Sequence, residues 1–247
     1  VGPLGGGTGD EGGPLAAAKV ACGAAKDRGR GRVEVYEAAD ESIIQRFDDI
    51  RLVGQIRNAI ESDRLRLVAQ PIMPIKEGTG HPYCEVLVRI LDDEDRYISP
   101  ADFLSAAERY QLMEELDRWV VTHTLQLLEH QATRLAGTRF AINLSGQSLG
   151  SEQFLPFVQD RIAASNVPPE MLCFEITESV AVANLQRAQT FMHTLKRTGC
   201  KFSLDDFGTG LSSFAYLKLF PVDTLKIDGS FIRDLSSNVV SQSVVAA

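Results

Sequence analysis

Five side chains that can bind a metal ion lie on or directly after apolar segments of this sequence. They are Glu85, Asn143, Glu175, Asp205 and Asp206. Burying several carboxylates near one another costs several kcal/mol for each anion unless a cation or hydrogen bonds compensate. Carboxylate and amide oxygens bind hard cations such as Mg²⁺ or Mn²⁺, and two such ions about 3.5–4 Å apart can bind a phosphodiester and activate water. The set therefore predicts a metal-dependent phosphoester hydrolase, although any one member alone is more often an edge or rim residue.

The adjacent acids Asp205 and Asp206 and the later Lys226 add to this prediction. Neighbouring residues of an extended chain point in opposite directions, so both acids can face one site only if the strand ends there and the chain turns. The glycines in residues 207–210 permit such a turn. Lys226 lies in an apolar segment and can orient water or neutralise charge that develops on phosphate. The alternatives are a turn in which an Asp caps the next helix, and a strand lysine that pairs with Asp228.

Short apolar segments alternate with amphipathic segments from Leu65 onward, which is typical of β/α folds. We predict strands at 67–75, 83–90, 139–144, 172–176, 201–204 and 224–227. We predict helices at 99–110, 113–135, 151–165, 184–198 and 212–218, and the start of another at 239–247. The expected architecture is a parallel sheet with outer helices, whose closed form is a (β/α) barrel of about 250 residues. About six of its eight strands are visible, so we expect an incomplete TIM-like barrel.

The composition excludes several classes of protein. Of the 247 residues, 23% are charged and 44% are hydrophobic, which is ordinary usage for a globular protein. The formal net charge of -8 would repel the phosphates of a long nucleic acid, so we expect no polymeric nucleic-acid partner. No apolar segment is long enough to span a bilayer, and the four cysteines have neither zinc-site nor disulfide-framework spacing. We expect a cytoplasmic chain, although a longer parent could be anchored to a membrane through other regions.

Six motifs of this chain together resemble the EAL domain of cyclic di-GMP phosphodiesterases. They are Val68-Ala69-Gln70-Pro71-Ile72, Glu85-Val86-Leu87-Val88-Arg89, Asn143-Leu144-Ser145, Glu175-Ile176-Thr177-Glu178-Ser179, the segment from Asp205 to Gly210, and Lys226-Ile227-Asp228. The resemblance implies a (β/α)₈ barrel of the EAL type with one reversed strand, which hydrolyses cyclic di-GMP to the linear dinucleotide pGpG with Mg²⁺ or Mn²⁺. The Glu-Val-Leu sequence at 85–87 replaces the Glu-Ala-Leu of the family name and keeps the acid.

The resemblance also implies roles for individual residues. The implied metal ligands are Glu85, Asn143, Glu175, Asp205 and Asp206. The implied catalytic residues are Lys226, Glu85 and Asp205. Of these, Lys226 is expected to hold the catalytic water. Gln70 and Arg89 are expected to contact the substrate, and Glu178 is expected to anchor the loop of residues 207–211.

The resemblance divides the chain into three parts. Residues 1–36 resemble the last helix and strand of a GGDEF domain, the diguanylate cyclase module often found before an EAL domain. Residues 37–46 are interpreted as a linker, and 47–247 as an EAL domain that is truncated at its C-terminus. The family continues with a seventh strand that carries the proposed general base and with an eighth strand, and both lie beyond Ala247. We therefore expect the fragment alone to have little or no activity and to be poorly stable.

Three functions remain open at this point. One is a cyclic di-GMP phosphodiesterase in bacterial second-messenger signalling, and another is a catalytically silent module that binds cyclic di-GMP and signals. The third is a different metal-dependent phosphohydrolase, which the matches at Gln70 and Arg89 disfavour. Every metal ligand that residues 47–247 can supply is present, which favours the enzyme. A homodimer formed through the EAL domain is a further expectation of the resemblance.

Overall fold

The computed structural model describes residues 41–62, 64–75, 82–92, 94, 96–131, 134–135, 137–208 and 217–246 of the chain. Seven strands in these residues form one sheet. They are β1 (Leu65–Ile72), β2 (Tyr83–Leu91), β3 (Tyr97–Ile98), β4 (Arg139–Asn143), β5 (Leu172–Thr177), β6 (Lys201–Phe207) and β7 (Thr224–Ile227). All six predicted strands are present, and the two-residue strand β3 is an addition that the sequence pattern does not predict.

The main path of the sheet runs in the order β1-β2-β4-β5-β6-β7, and β3 pairs with β2 outside this path. Neighbouring strands from β2 to β7 along the path are parallel. Strand β1 is antiparallel to β2, so it is the one reversed strand of this path, as the resemblance implies, and the short β3 outside the path is also antiparallel to β2. Within the described residues the sheet is open, with β1 and β7 at its edges. The fold is therefore α/β with a mostly parallel sheet.

The prediction that the strand ends before Asp205 is wrong. Strand β6 continues through Asp205 and Asp206 to Phe207. The pairing of β6 with β7 shifts register between Leu204 and Phe207, and Asp206 has a φ of 52°. A β-bulge of this kind adds a residue to one strand and redirects its side chains. The change of direction that the two acids require is thus made inside the strand.

Nine α-helices and one 3₁₀ helix are seen in the described residues. They are α1 (Glu41–Glu61), α2 (Pro100–Arg109), α3 (Met113–His130), α4 (Gly146–Gly150), α5 (Phe154–Ala164), the 3₁₀ helix Pro169–Met171, α6 (Glu178–Ala183), α7 (Leu185–Lys196), α8 (Gly229–Arg233) and α9 (Val239–Ala246). Helix α3 ends five residues before the predicted 135. Helix α1 begins within the predicted linker, so residues 41–46 are helical. The GGDEF-like segment 1–36 and most of the predicted helix 212–218 lie outside the described residues.

The short helices α4, α6 and α8 are not predicted from the sequence, and each begins within three residues of the end of a strand. Their N-caps are Ser145, Thr177 and Asp228, whose side chains accept hydrogen bonds from backbone N–H groups of the first turn. A side chain that caps a helix satisfies a donor that has no partner inside the helix. The caps therefore turn the chain sharply at the carboxyl edge of the sheet, where the predicted site residues lie.

Two groups of buried apolar side chains stabilise the fold. The sheet cluster packs β2 and β4–β6 against α3 to α7 and includes Phe174, Phe191 and Phe202. The ring of Phe191 is edge-on to the rings of both other phenylalanines, with centroids 5.9 and 6.1 Å away. The α1 cluster packs α1 against β1, β2, α2 and the first turns of α3, around Ile56 and Phe103. Among the described residues, none of the helices is both long and apolar enough to cross a bilayer.

Candidate functional site

The predicted ligands are brought together by the register of the parallel strands. Asn143 on β4 pairs with Glu175 on β5, and Thr177 on β5 pairs with Asp205 on β6. Side chains alternate between the two faces of a strand, so residues two apart share a face. We call the face that carries Glu175 and Asp205 the inner face, since the opposite face packs against the helices. Glu85, from β2, also projects from the inner face into this group.

Lys226 on β7 is the centre of the site. Its Nζ lies 2.7 Å from Oδ2 of Asp205, 2.8 Å from Oε2 of Glu175 and 3.3 Å from Oε2 of Glu85. One carboxylate oxygen from each of the three acids lies within 4.8 Å of the other two. The Glu175 side chain is fully buried, whereas the other two acids are about one-fifth exposed. The site is therefore a cluster of three carboxylates that converge on one cation.

The electrostatics of the cluster explain why it needs a cation. Burial raises the pKa of Glu175, and the nearby Glu85 raises it further, whereas hydrogen bonding to Lys226 lowers it. Burial lowers the pKa of Lys226, but its hydrogen bonds to Asp205 and Glu175 outweigh that effect and raise it overall. The ammonium group is therefore charged at neutral pH, and it acts as a hydrogen-bond donor in this cluster.

Two neutral side chains donate hydrogen bonds to the oxygens of Glu85 and Glu175 that do not contact Lys226. Nδ2 of Asn143 donates to Oε1 of Glu85 at 2.7 Å. The hydroxyl of Tyr83 donates to Oε1 of Glu175 at 2.9 Å. Sequence reasoning missed Tyr83, although its position two residues before Glu85 on one strand is a signal that the two share a face. The remaining carboxylate oxygens of Glu85 and Glu175 are thus bound as well.

Asp206 is not part of the convergent group. Its backbone N–H donates to Oδ1 of Asp205 at 2.9 Å, and its own side chain is exposed. Partial burial raises the pKa of Asp206, with further contributions from the charges of Asp205 and Asp228. The bulge directs Asp206 to the neighbourhood of the site, and its role as a metal ligand stays a prediction.

The two predicted substrate contacts lie on the β1–β2 pair. Gln70 is the cross-strand partner of Glu85 and is exposed. Arg89 follows Glu85 by four residues on the inner face, and its Nη1 donates to the carbonyl of Val88 at 2.8 Å. Both side chains therefore project from the same face of the sheet as Glu85. Their contact with a substrate stays a prediction.

The buried Glu178, at the start of α6, contacts the end of β6. Its Oε2 accepts a hydrogen bond from the backbone N–H of Gly208 at 3.0 Å. This is the first part of the segment that Glu178 is predicted to anchor, and residues 209–211 of that segment lie outside the described residues. The bond connects the two strands that carry Glu175 and Asp205.

The donor set of this site fits a divalent metal ion. Three carboxylate oxygens converge within 4.8 Å, and the ammonium of Lys226 lies where positive charge is needed. Oxygen ligands at such separations suit hard cations. The acidic cluster can therefore bind a metal ion at the carboxyl edge of the sheet.

Curated proteins resemble most of this chain. The cyclic di-GMP phosphodiesterase PdeB of Shewanella oneidensis is 35% identical over 92% of the chain and 27% of its own length. The cyclic di-GMP phosphodiesterase PdeF of Escherichia coli is 38% identical over 81% of the chain and 26% of its own length. The chain thus spans about a quarter of the length of these relatives.

A solved structure and a family profile agree with these relatives. The EAL domain of FimX from Pseudomonas aeruginosa, bound to c-di-GMP, superposes with a TM-score of 0.71 at 33% identity, covering 78% of this chain and 77% of that one. The TIM-like EAL fold expected from the sequence is therefore confirmed. Residues 53–247 match the profile of the EAL domain. This chain belongs to the EAL domain family.

Proposed function

We propose that the protein containing this chain hydrolyses cyclic di-GMP to pGpG, with water activated at a site for Mg²⁺ or Mn²⁺. The observation that carries the proposal is the convergence of Glu85, Glu175 and Asp205 on Lys226 in a chain whose relatives are named phosphodiesterases. Because pGpG has a 5′-phosphate, the reaction adds the water oxygen to phosphorus and breaks its bond to the 3′ oxygen. The 3′ oxygen leaves with a proton.

The residues that would hold the metal are Glu85, Asn143, Glu175, Asp205 and Asp206. Asn143 can offer its amide oxygen, because its amide nitrogen is the atom that donates to Glu85. A bound divalent ion supplies Lewis acidity, which lowers the pKa of water and stabilises negative charge on phosphate oxygens. Calcium prefers longer bonds and more ligands than Mg²⁺, so we expect it to support little or no hydrolysis.

Lys226 stays protonated and therefore serves as a donor. It can orient the attacking water or stabilise negative charge on the phosphate, but it cannot remove a proton from water while it is charged. Arg89 carries a guanidinium on the inner face, a group suited to phosphate oxygens, and Gln70 can hydrogen-bond to a guanine edge. Glu178 would fix the chain that follows Asp205 and Asp206 through its bond to Gly208.

The test compares Glu85→Ala with the unchanged sequence, each in the full protein that contains this chain, in a chromatographic assay of pGpG release. We expect the variant to lose hydrolysis, because one of three convergent carboxylates is removed. Glu115→Ala, at an exposed position of α3, is the matched control and should keep full turnover. Full turnover by Glu85→Ala would remove Glu85 from the site. Tight binding of cyclic di-GMP without release of pGpG by the unchanged full protein would favour the silent binding module.

Other properties of the protein are part of this proposal. A GGDEF-type segment at 1–36, joined by a linker at 37–46, stays part of the proposal on the resemblance of residues 1–36 alone. A cytoplasmic location is supported by the free thiols of Cys84, Cys173 and Cys200. The net charge of -8 argues against polymeric nucleic acid as a partner. A homodimer through the EAL domain is tested by sedimentation.

A further inference from the structure

Tyr83 is the first residue of β2, and its ring crosses the inner face of the sheet to reach β5. In the register, Tyr83 is level with Arg139 and Glu175 is level with Asn143. Ala141 lies between these two levels on the intervening strand β4, and its methyl side chain projects only a short distance from the inner face. The phenol hydroxyl can therefore pass β4 and donate to Oε1 of Glu175 at 2.9 Å.

The two oxygens of Glu175 have separate partners. Oε2 accepts from Lys226 at 2.8 Å, and Oε1 accepts from Tyr83. Among the described residues, Tyr83 is the hydrogen-bond partner of Oε1, and the Glu175 side chain has no exposed surface. A buried carboxylate oxygen that loses its donor must rotate toward another or remain unsatisfied, and either is costly. The hydroxyl of Tyr83 therefore determines which way the carboxylate plane faces.

We propose that Tyr83 is a positioning residue that keeps Oε2 of Glu175 turned toward Lys226, Glu85 and Asp205, and so tunes the affinity of this site for its divalent cation. The inference rests on the proposed function, since it assigns a metal to the carboxylate cluster. Groups that orient the ligands of a metal typically contribute about 10- to 100-fold in metal affinity. Tyr83 contacts a carboxylate of the cluster and does not itself need to touch the substrate.

The test is Tyr83→Phe, which removes one oxygen and keeps the ring. Each variant is made in the full protein that contains this chain, and Mn²⁺ binding is measured by electron paramagnetic resonance without nucleotide, where bound and free Mn²⁺ give different signals. We expect the Mn²⁺ affinity to fall about tenfold. The Mn²⁺ concentration that half-activates hydrolysis should rise by the same factor, while the KM for cyclic di-GMP at saturating Mn²⁺ stays unchanged. Tyr97→Phe, at an exposed tyrosine on β3, is the matched control and should alter neither value.

The outcomes separate this inference from the proposed function. If the unchanged chain binds Mn²⁺ and Tyr83→Phe binds it equally well, the inference is wrong and the proposed function stands. If Tyr83→Phe weakens Mn²⁺ binding but the unchanged full protein releases no pGpG, the inference stands and the proposed hydrolysis is wrong. If the unchanged full protein binds no Mn²⁺, both are wrong. The thermal midpoint of each variant is measured alongside, and weaker binding that appears only above the onset of unfolding counts against the inference.

Discussion

At the scale of single residues, Lys226 acts as the counter-ion of the site. Its ammonium contacts Glu85, Glu175 and Asp205, and one of these carboxylates is fully buried. Like charges this close cannot all remain ionised without a cation among them. The same arrangement therefore stabilises the folded chain without metal and presents the oxygens that a metal needs. Stability and metal binding should be linked at this position.

We expect Lys226→Met to destabilise the metal-free chain by about 2 kcal/mol, because three carboxylates then face one another without their ammonium partner. The measurement is the free energy of unfolding in urea with a chelator present. Added Mn²⁺ should restore part of the loss, since the ion supplies the missing positive charge. Lys218→Met, at an exposed position, is the control and should be nearly neutral. Equal stability of Lys226→Met and the unchanged chain in chelator would show that the ion pairs contribute nothing.

The sequence indicated the acids of the site together with Asn143 and Lys226, but it did not indicate Tyr83 or which of these groups contact one another. Glu85, Glu175 and Asp205 were predictable because anions in apolar strands require a ligand or a counter-ion. Tyr83 was missed because a tyrosine in a strand is ordinary core composition, and its hydroxyl finds Glu175 only across an intervening strand. Lys226 was predicted to act on water, but its contact with all three acids depends on strand order, which local patterns do not contain.

At the scale of elements, the carboxyl edge of the sheet is shaped by caps and by one bulge. Short helices that begin at Ser145, Thr177 and Asp228 were not predictable from periodicity, because five or six residues are too few to show a helical pattern. The bulge in β6 was also not predictable from the sequence, because it results from the pairing of β6 with β7. These local turns fix the directions in which Asn143, Glu175 and the two adjacent acids project.

Gly208 shows how closely the end of β6 is packed. Its φ is +102°, and a Cβ atom there would lie 2.7 Å from Cε2 of Phe231. We expect Gly208→Ala to lower the free energy of unfolding by about 3 kcal/mol through backbone strain and overpacking. The affinity for a metal ion should fall as well. Gly208 lies two residues after Asp206, and its hydrogen bond to Glu178 holds the end of the strand that carries Asp205. Urea unfolding and Mn²⁺ titration measure the two effects.

Gly54 provides the control for this substitution. It lies in α1 with nothing within 4 Å of an added Cβ, so Gly54→Ala should stabilise the chain by about 0.5–1 kcal/mol. A Gly208→Ala variant as stable as the unchanged chain would mean that the end of β6 adapts without cost.

Asp117 connects α3 to the turn that follows Asn143. Its Oδ2 accepts from the backbone N–H of Ser145 at 2.9 Å and from the hydroxyl of Ser148 at 2.6 Å. Burial raises the pKa of Asp117 from 3.8 to about 6, although these hydrogen bonds oppose the shift. Because the folded chain holds this proton more tightly than the unfolded chain, the group contributes most stability below pH 4 and loses it as the pH rises through 6.

We therefore expect Asp117→Asn to become more stable relative to the unchanged chain as the pH rises from 4 to 7, by about 2 kcal/mol over that range. The amide oxygen can accept the same two hydrogen bonds and carries no charge. Urea unfolding at several pH values measures the difference. Asp160→Asn, at an exposed position of α5, is the control for the loss of one surface carboxylate. If the difference in the free energy of unfolding between Asp117→Asn and the unchanged chain does not change with pH, the raised pKa of Asp117 is contradicted.

At the scale of the whole molecule, the two buried clusters share side chains. Val88 and Trp119 pack against both the sheet cluster and the α1 cluster. The alternation of strands and helices predicted most of the sheet, because apolar segments bounded by amphipathic ones recur along the chain. The antiparallel direction of β1 came only from the family resemblance, since a strand pattern has no direction. That reversal places Leu65 opposite Ile90, where both pack under α1.

The shared side chains predict that α1 and the sheet unfold together. Ile56 of α1 has no exposed surface, so Ile56→Ala should lower the free energy of unfolding by about 3 kcal/mol. If the clusters are one cooperative unit, native-state hydrogen exchange at Phe174 in β5 should lose as much protection as exchange in α1. Val158→Ala, in the sheet cluster, is the reciprocal variant and should weaken protection in α1 equally. Loss of protection confined to α1 in Ile56→Ala would show that this helix unfolds independently, and Val88 and Trp119 would then not couple the clusters.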